Sequence, residues 1–116
     1  MSDLYDTIVI GAGQAGLASA YYLQGAGSRF LVLDGGDHIG ESWLRRWDSL
    51  RLFTPVRYSS LPGLPFPGEP YALPVKDDVA RYLAAYVEHF ALPVRLNTRV
   101  SSLMRDTDRF VVTTED

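Results

Sequence analysis

The chain is 116 residues long with a formal net charge of −3, a length that fits one domain or a piece of one. It has no cysteine, and its two histidines, His38 and His89, are far apart; disulfides, thiol redox pairs and Cys-based metal sites are excluded, so any redox chemistry belongs to a bound cofactor. Mild acidity gives no footing for nucleic acid or an anionic membrane, no apolar run can span a bilayer, and Met1-Ser2-Asp3 is no signal peptide, so a cytoplasmic location is expected.

Thr7 to Ile10 is a short β-branched run that reads as a strand buried on both faces. Gly11, Gly13 and Gly16 follow at G-x-G-x-x-G spacing and open a helix predicted from Gln14 to about Gln24, with Gly25 and Gly27 as its stop. In that setting Gly11 permits a tight turn, Gly13 admits a pyrophosphate, and Gly16 lets the helix lie close to the strand. The helix start offers unpaired N–H groups to the phosphates. Phe30 to Leu33 reads as a second buried strand, ending at Asp34. An acid about 20 residues past the motif accepts hydrogen bonds from ribose hydroxyls and repels a 2′-phosphate. Leu4 to Asp34 is thus a β–α–β unit with a right-handed crossover.

Gly35 to Gly40 is a flexible loop, Glu41 to Trp47 a short helical turn, and Leu50 to Phe53 a short extended piece. Six of the seven prolines lie between Pro55 and Pro74, which excludes helix and long sheet there. Val56, Leu61, Leu64, Phe66, Tyr71 and Leu73 make the stretch apolar, so it reads as an ordered excursion packed across the cofactor face. Asp77 and Asp78 start a helix that runs to about Phe90, with Val79, Leu83, Tyr86 and Phe90 as its apolar stripe. Val94 to Leu96 is a third core strand, and Arg99 to Met104 pairs with Phe110 to Thr114 as a hairpin. No parallel strands follow for the other side of the first strand, and no second G-x-G-x-x-G is present. Residues 1–116 are therefore expected to be the N-terminal portion of a longer protein, prone to self-association through the truncated sheet edge.

Three stretches together resemble the flavin-containing monooxygenase-like FAD/NAD(P)-dependent oxidoreductases, in the bacterial branch of flavoprotein monooxygenases. They are Gly11 to Gly16, Gly40-Glu41-Ser42-Trp43, and Trp47-Asp48-Ser49-Leu50-Arg51-Leu52-Phe53-Thr54-Pro55, with Leu61-Pro62-Gly63 and Asn97-Thr98-Arg99-Val100 in support. The resemblance implies an α/β, three-layer Rossmann-like FAD-binding domain with a parallel sheet and part of a β-meander, incomplete at its C-terminal end. It implies that Gly11, Ala12, Gly13, Gln14, Ala15 and Gly16 hold the FAD pyrophosphate and Asp34, beside Gly35, the adenosine ribose. Ser42 and Trp43 would lie along the ribityl and flavin portion, Leu52 and Thr54 would add cofactor contacts, and the Val100 backbone would meet adenine. An indole suits a flavin wall because it is rigid and apolar. NAD(P)H would act as reductant through a domain outside these residues, and a small molecule would be the substrate.

The chain departs from that pattern at three places. Asp34 stands where many FAD-binding members carry Glu, which leaves room for NAD; Phe53-Thr54-Pro55 lacks the Asn found near the flavin of eukaryotic members; and G-E-S-W replaces a stretch in which two adjacent glycines are common. Trp43 has a core reading beside the flavin one, Trp47 reads as core, and Arg45, Arg46 and Arg51 read as phosphate-facing or simply solvated. Arg57 and Tyr58 are candidates for the flavin lining. The leading expectation is the FAD-binding portion of an NAD(P)H-dependent flavoprotein oxidoreductase. Its rivals are an NAD-dependent dehydrogenase and a non-catalytic FAD-binding module that senses redox state or regulates ion transport.

Overall fold

A computed structural model describes residues 4–115 of the chain. Three parallel strands, β1 (Thr7–Ile10), β2 (Phe30–Leu33) and β3 (Val94–Arg95), form a sheet in the order β1-β2-β3. Thr7 pairs with Phe30 and Ile10 with Leu33, while Val32 pairs with Val94. Helix α1 (Gln14–Gly25) links the first two strands and packs against helix α3 (Lys76–Phe90), which precedes β3. The two crossovers run in the same direction along the sheet, and the right-handed rule for such connections puts α1 and α3 on one face, where they pack together. A second, antiparallel sheet is the hairpin of β4 (Val100–Asp106) and β5 (Arg109–Thr114), closed by Thr107 and Asp108.

The central strand β2 is buried along its whole length, as its unbroken apolar run predicts. For β1 the expectation of burial on both faces is corrected: the strand is only half-buried, and Ile10 is 51% exposed. Like β2 it is mostly apolar, but it lies at the edge and has a neighbour on one side only among the described residues. Trp47 is corrected too, being 62% exposed rather than core.

Both long helices end as their residues dictate. In α1, Gly27 adopts φ +71, and the Ser28 N–H bonds the Leu23 carbonyl at 3.0 Å, closing a Schellman turn. In α3, the Asp78 carboxylate reaches back to the Val75 N–H at 3.0 Å and so satisfies a first-turn donor. Val79, Leu83 and Tyr86 are buried, with Tyr82 and Ala80 beside them.

The proline-rich stretch is ordered by that helix. Its two ends run antiparallel, with the Leu52 N–H bonded to Pro74 O and the Val56 N–H to Ala72 O, both at 2.9 Å. A 3₁₀ turn (Val56–Tyr58) is its only helical piece, and Val56 and Phe66 enter the core. The Tyr82 hydroxyl accepts from the Leu61 N–H and donates to Leu64 O, each at 2.7 Å, and the Tyr86 hydroxyl donates to Pro62 O at 2.6 Å. A loop rich in proline has few N–H groups with which to hold itself, so the helix tyrosines supply the bonds.

A Cβ at Gly16 would stand 2.0 Å from the Gly11 carbonyl oxygen, whereas one at Gly13 meets nothing within 4 Å. Gly16→Ala is therefore expected to destabilise the chain by about 2–3 kcal/mol in urea denaturation, and Gly13→Ala by less than about 1 kcal/mol. Burial, followed by the neighbouring tyrosines Tyr82, Tyr21 and Tyr22, pushes the Tyr86 hydroxyl up to about 12. An acid whose folded value is raised holds its proton more firmly than the unfolded chain does, so this stabilisation is complete below pH ~10 and lost as the pH climbs towards 12. Melting temperature should fall across that window, and Tyr86→Phe should flatten the fall.

Candidate functional site

The turn from β1 into α1 carries the fingerprint in working geometry. Gly11 has φ +104, a conformation that side-chain-bearing residues rarely adopt, and its N–H bonds Leu33 O at 2.7 Å. Gly16 lies against Gly11 with no room for a side chain. Helix α1 starts at Gly13 with no side-chain cap and no acid in its first turn. The helix dipole and its first N–H groups are thus left for an anion, and the open space at Gly13 is where one can approach.

Asp34, at the end of β2, is tied to that turn. Its Oδ1 accepts the Ala12 N–H at 3.0 Å and its Oδ2 the Gly36 N–H at 2.9 Å. A groove of about 270 Å³ runs between these elements, lined by Ala12, Gly13, Asp34, Gly35 and Ser42 from the expected set, and by Glu41, Arg45, Leu83 and Arg99 besides. Glu41 holds Arg45 through Oε1 at 2.7 Å and accepts the Asp37 N–H on Oε2 at 2.8 Å. Gly40 has φ +81 and starts α2 (Glu41–Leu44); a Cβ there would come within 2.7 Å of the Ala80 Cα, so this glycine lets α2 press onto α3.

A second cavity, of about 210 Å³, lies next to the groove and shares Leu83 with it. Gln14, Leu52 and Thr54 line it, joined by Tyr58, Leu61 and Phe66 of the proline-rich excursion. The expected residues thus divide between two adjoining hollows, with α3 common to both. Ala15 is exposed on the first turn of α1, and Gly16 serves packing.

Trp43 and Val100 line neither hollow. Trp43 is half-buried against the core, and the Arg46 guanidinium sits 4.9 Å from its ring centroid. Val100 is half-buried at the start of β4. Arg99 and Glu41 lie inside the quoted stretches, each next to a residue expected at the site; which of two neighbours faces the groove is decided by the fold. Among the described residues no group of three or more His, Cys, Asp or Glu side chains is placed to hold a metal, and no helix is long and apolar enough to cross a membrane.

The chain is 48% identical over 111 residues to "Uncharacterized oxidoreductase CzcO" of Bacillus velezensis, a match covering 96% of this chain and 32% of that protein. It superposes with a TM-score of 0.93 and 37% identity on a flavin-containing monooxygenase from Stenotrophomonas maltophilia, over 98% of this chain and 34% of that one. The structure of OTEMO in complex with FAD and NADP matches all of this chain and 24% of its own, with a TM-score of 0.82 and 25% identity. The chain spans about a third of the length of the first curated relatives it matches. These neighbours share the Rossmann-like α/β architecture, and the family model for pyridine nucleotide-disulphide oxidoreductase matches residues 8–116, from the first strand through the hairpin. The chain belongs to that family.

Proposed function

We propose that this chain is the FAD-binding portion of an NAD(P)H-dependent flavoprotein oxidoreductase of the monooxygenase-like kind. The observation that carries the reading is the uncapped start of α1 at Gly13, opening into a groove that also holds the Asp34 carboxylate. That sequence of donors and acceptor suits a pyrophosphate followed by a ribose. The S. maltophilia flavin-containing monooxygenase and the OTEMO complex with FAD and NADP support it. The residues fit the group: Gly13 leaves space for phosphate, and the adjoining hollow with Leu52, Thr54 and Tyr58 offers a mostly apolar wall.

Bound FAD would supply the electron chemistry, between NAD(P)H as hydride donor and O2 with a small substrate as acceptors. The chain's own residues would bind and orient it. The α1 N–H groups would hold the pyrophosphate, Asp34 would accept from the ribose, and Ser42 and the Leu52–Thr54 segment would border the remainder, while Trp43 anchors α2 to the core. The site for the hydride donor belongs to the length of the relatives that this chain does not span, since the sequence holds one fingerprint only.

FAD should quench tryptophan fluorescence saturably and bind at least about tenfold more tightly than NAD, with Gly13→Ala folding normally yet losing about tenfold or more in FAD affinity. Preferred binding of NAD would turn the assignment to a dehydrogenase. We infer likewise that the outer edge of β1 pairs with further strands in a longer polypeptide and with a second copy when these residues stand alone. Size-exclusion chromatography of the chain should then show dimers or larger species; a monodisperse monomer contradicts this.

A further inference from the structure

Arg99 borders the groove beside Asp34 and Gly35, and it also borders the neighbouring cleft with Asn97 and Glu115. Its backbone is fixed. The Asn97 N–H bonds Gly36 O at 3.0 Å, the Thr98 N–H bonds Asp34 O at 2.8 Å, and the Arg99 carbonyl accepts the Glu115 N–H at 3.0 Å. These bonds stitch segment 97–99 to the loop that follows β2, so Arg99 is held against the acid that marks the ribose position.

The side chain lies along Gly35: its Cβ, Cζ and Nη2 each stand 3.6 Å from where a Cβ on Gly35 would be. It is 67% exposed, and its ion pair with Glu115 is long, at 3.9 Å. The guanidinium thus rests on Gly35 with one side and leaves its outward side open next to Asp34, along the loop after β2. In a dinucleotide whose pyrophosphate lies on α1 and whose ribose meets Asp34, the group beyond that ribose is the base. A guanidinium is planar, weakly hydrated and able to stack on an aromatic face, which an ammonium is not.

We propose that Arg99 is the stacking wall for the adenine of the bound dinucleotide, a role that rests on the FAD reading above. Isothermal titration of FAD and of ADP into the wild-type chain, Arg99→Ala and Arg99→Lys tests it, with thermal melts of all three. Arg99→Ala should weaken both ligands about tenfold and leave the melting temperature unchanged. Arg99→Lys should lose nearly as much, because it keeps the charge and loses the plane. Full wild-type affinity in Arg99→Lys would show a bare charge at work and overturn the stacking role, as would wild-type affinity in Arg99→Ala. A wild-type chain that binds neither FAD nor ADP would instead overturn the FAD reading, and the Arg99 role with it.

Discussion

The closeness of α1 to the turn beneath it is the constraint on which the site depends. With a Cβ position at Gly16 only 2.0 Å from the Gly11 carbonyl, the helix can take its place only if that residue has no side chain. The same contact aims the uncapped first turn at the groove and brings the Ala12 N–H to the Asp34 carboxylate. Helix packing and the aim of the free N–H groups are thus one geometric decision: a helix displaced to make room for a methyl group would also turn its first N–H groups away from the groove. Gly13 has no packing reason to be glycine, since nothing stands within 4 Å of its Cβ position and the space above it is open.

Helix α3 provides the second support. Leu83 lines both hollows, while Tyr82 and Tyr86 bind the proline-rich excursion by three hydrogen bonds to its backbone. Each such bond contributes roughly 1 kcal/mol net, but leaving a buried carbonyl unpaired costs more, so the excursion is locked as much by what its release would expose as by the bonds themselves. Gly63, with φ +87, completes the fit, because a Cβ there would press within 2.5 Å of the Tyr21 ring and 2.9 Å of Phe90. The segment that carries Leu52, Thr54 and Tyr58 to the cavity is therefore held by α3, whose Val79, Tyr82 and Leu83 line that cavity as well.

Much of this was legible along the chain because the signals are local. Glycine spacing after an apolar run, the stripe from Val79 to Phe90 and the proline density each reflect backbone geometry that a few neighbouring residues determine. The misjudged positions depend on distant parts. Thr7–Ile10 and Phe30–Leu33 have similar compositions, yet only the latter gains a neighbour on each side and full burial. Trp47 is apolar enough for a core, but the turn after α2 leaves it facing out. Within the quoted stretches the fold also decides which of two neighbours faces the groove: Ser42 lies on it while Trp43 packs inward with Arg46 on its ring, and Arg99 lines it while Val100 begins β4. A motif locates such pairs to within a residue; the direction of each side chain comes from the packing of α2 on α3 and from the stitching of segment 97–99 to the loop after β2.

Asp34 joins the two kinds of information. An acid at the end of β2 is what nucleotide chemistry asks for, and aspartate is one methylene shorter than the glutamate the resemblance favours. Here the short side chain takes both the Ala12 and the Gly36 N–H, linking the fingerprint turn to the loop that precedes α2. Each carboxylate oxygen can accept a second hydrogen bond, so the role in shaping the loops does not exhaust its capacity for a ribose. The shorter acid also keeps the carboxylate close to the backbone, within reach of both N–H groups. Arg99, stitched beside it through Thr98 and Asn97, is the residue of that neighbourhood with surface to spare.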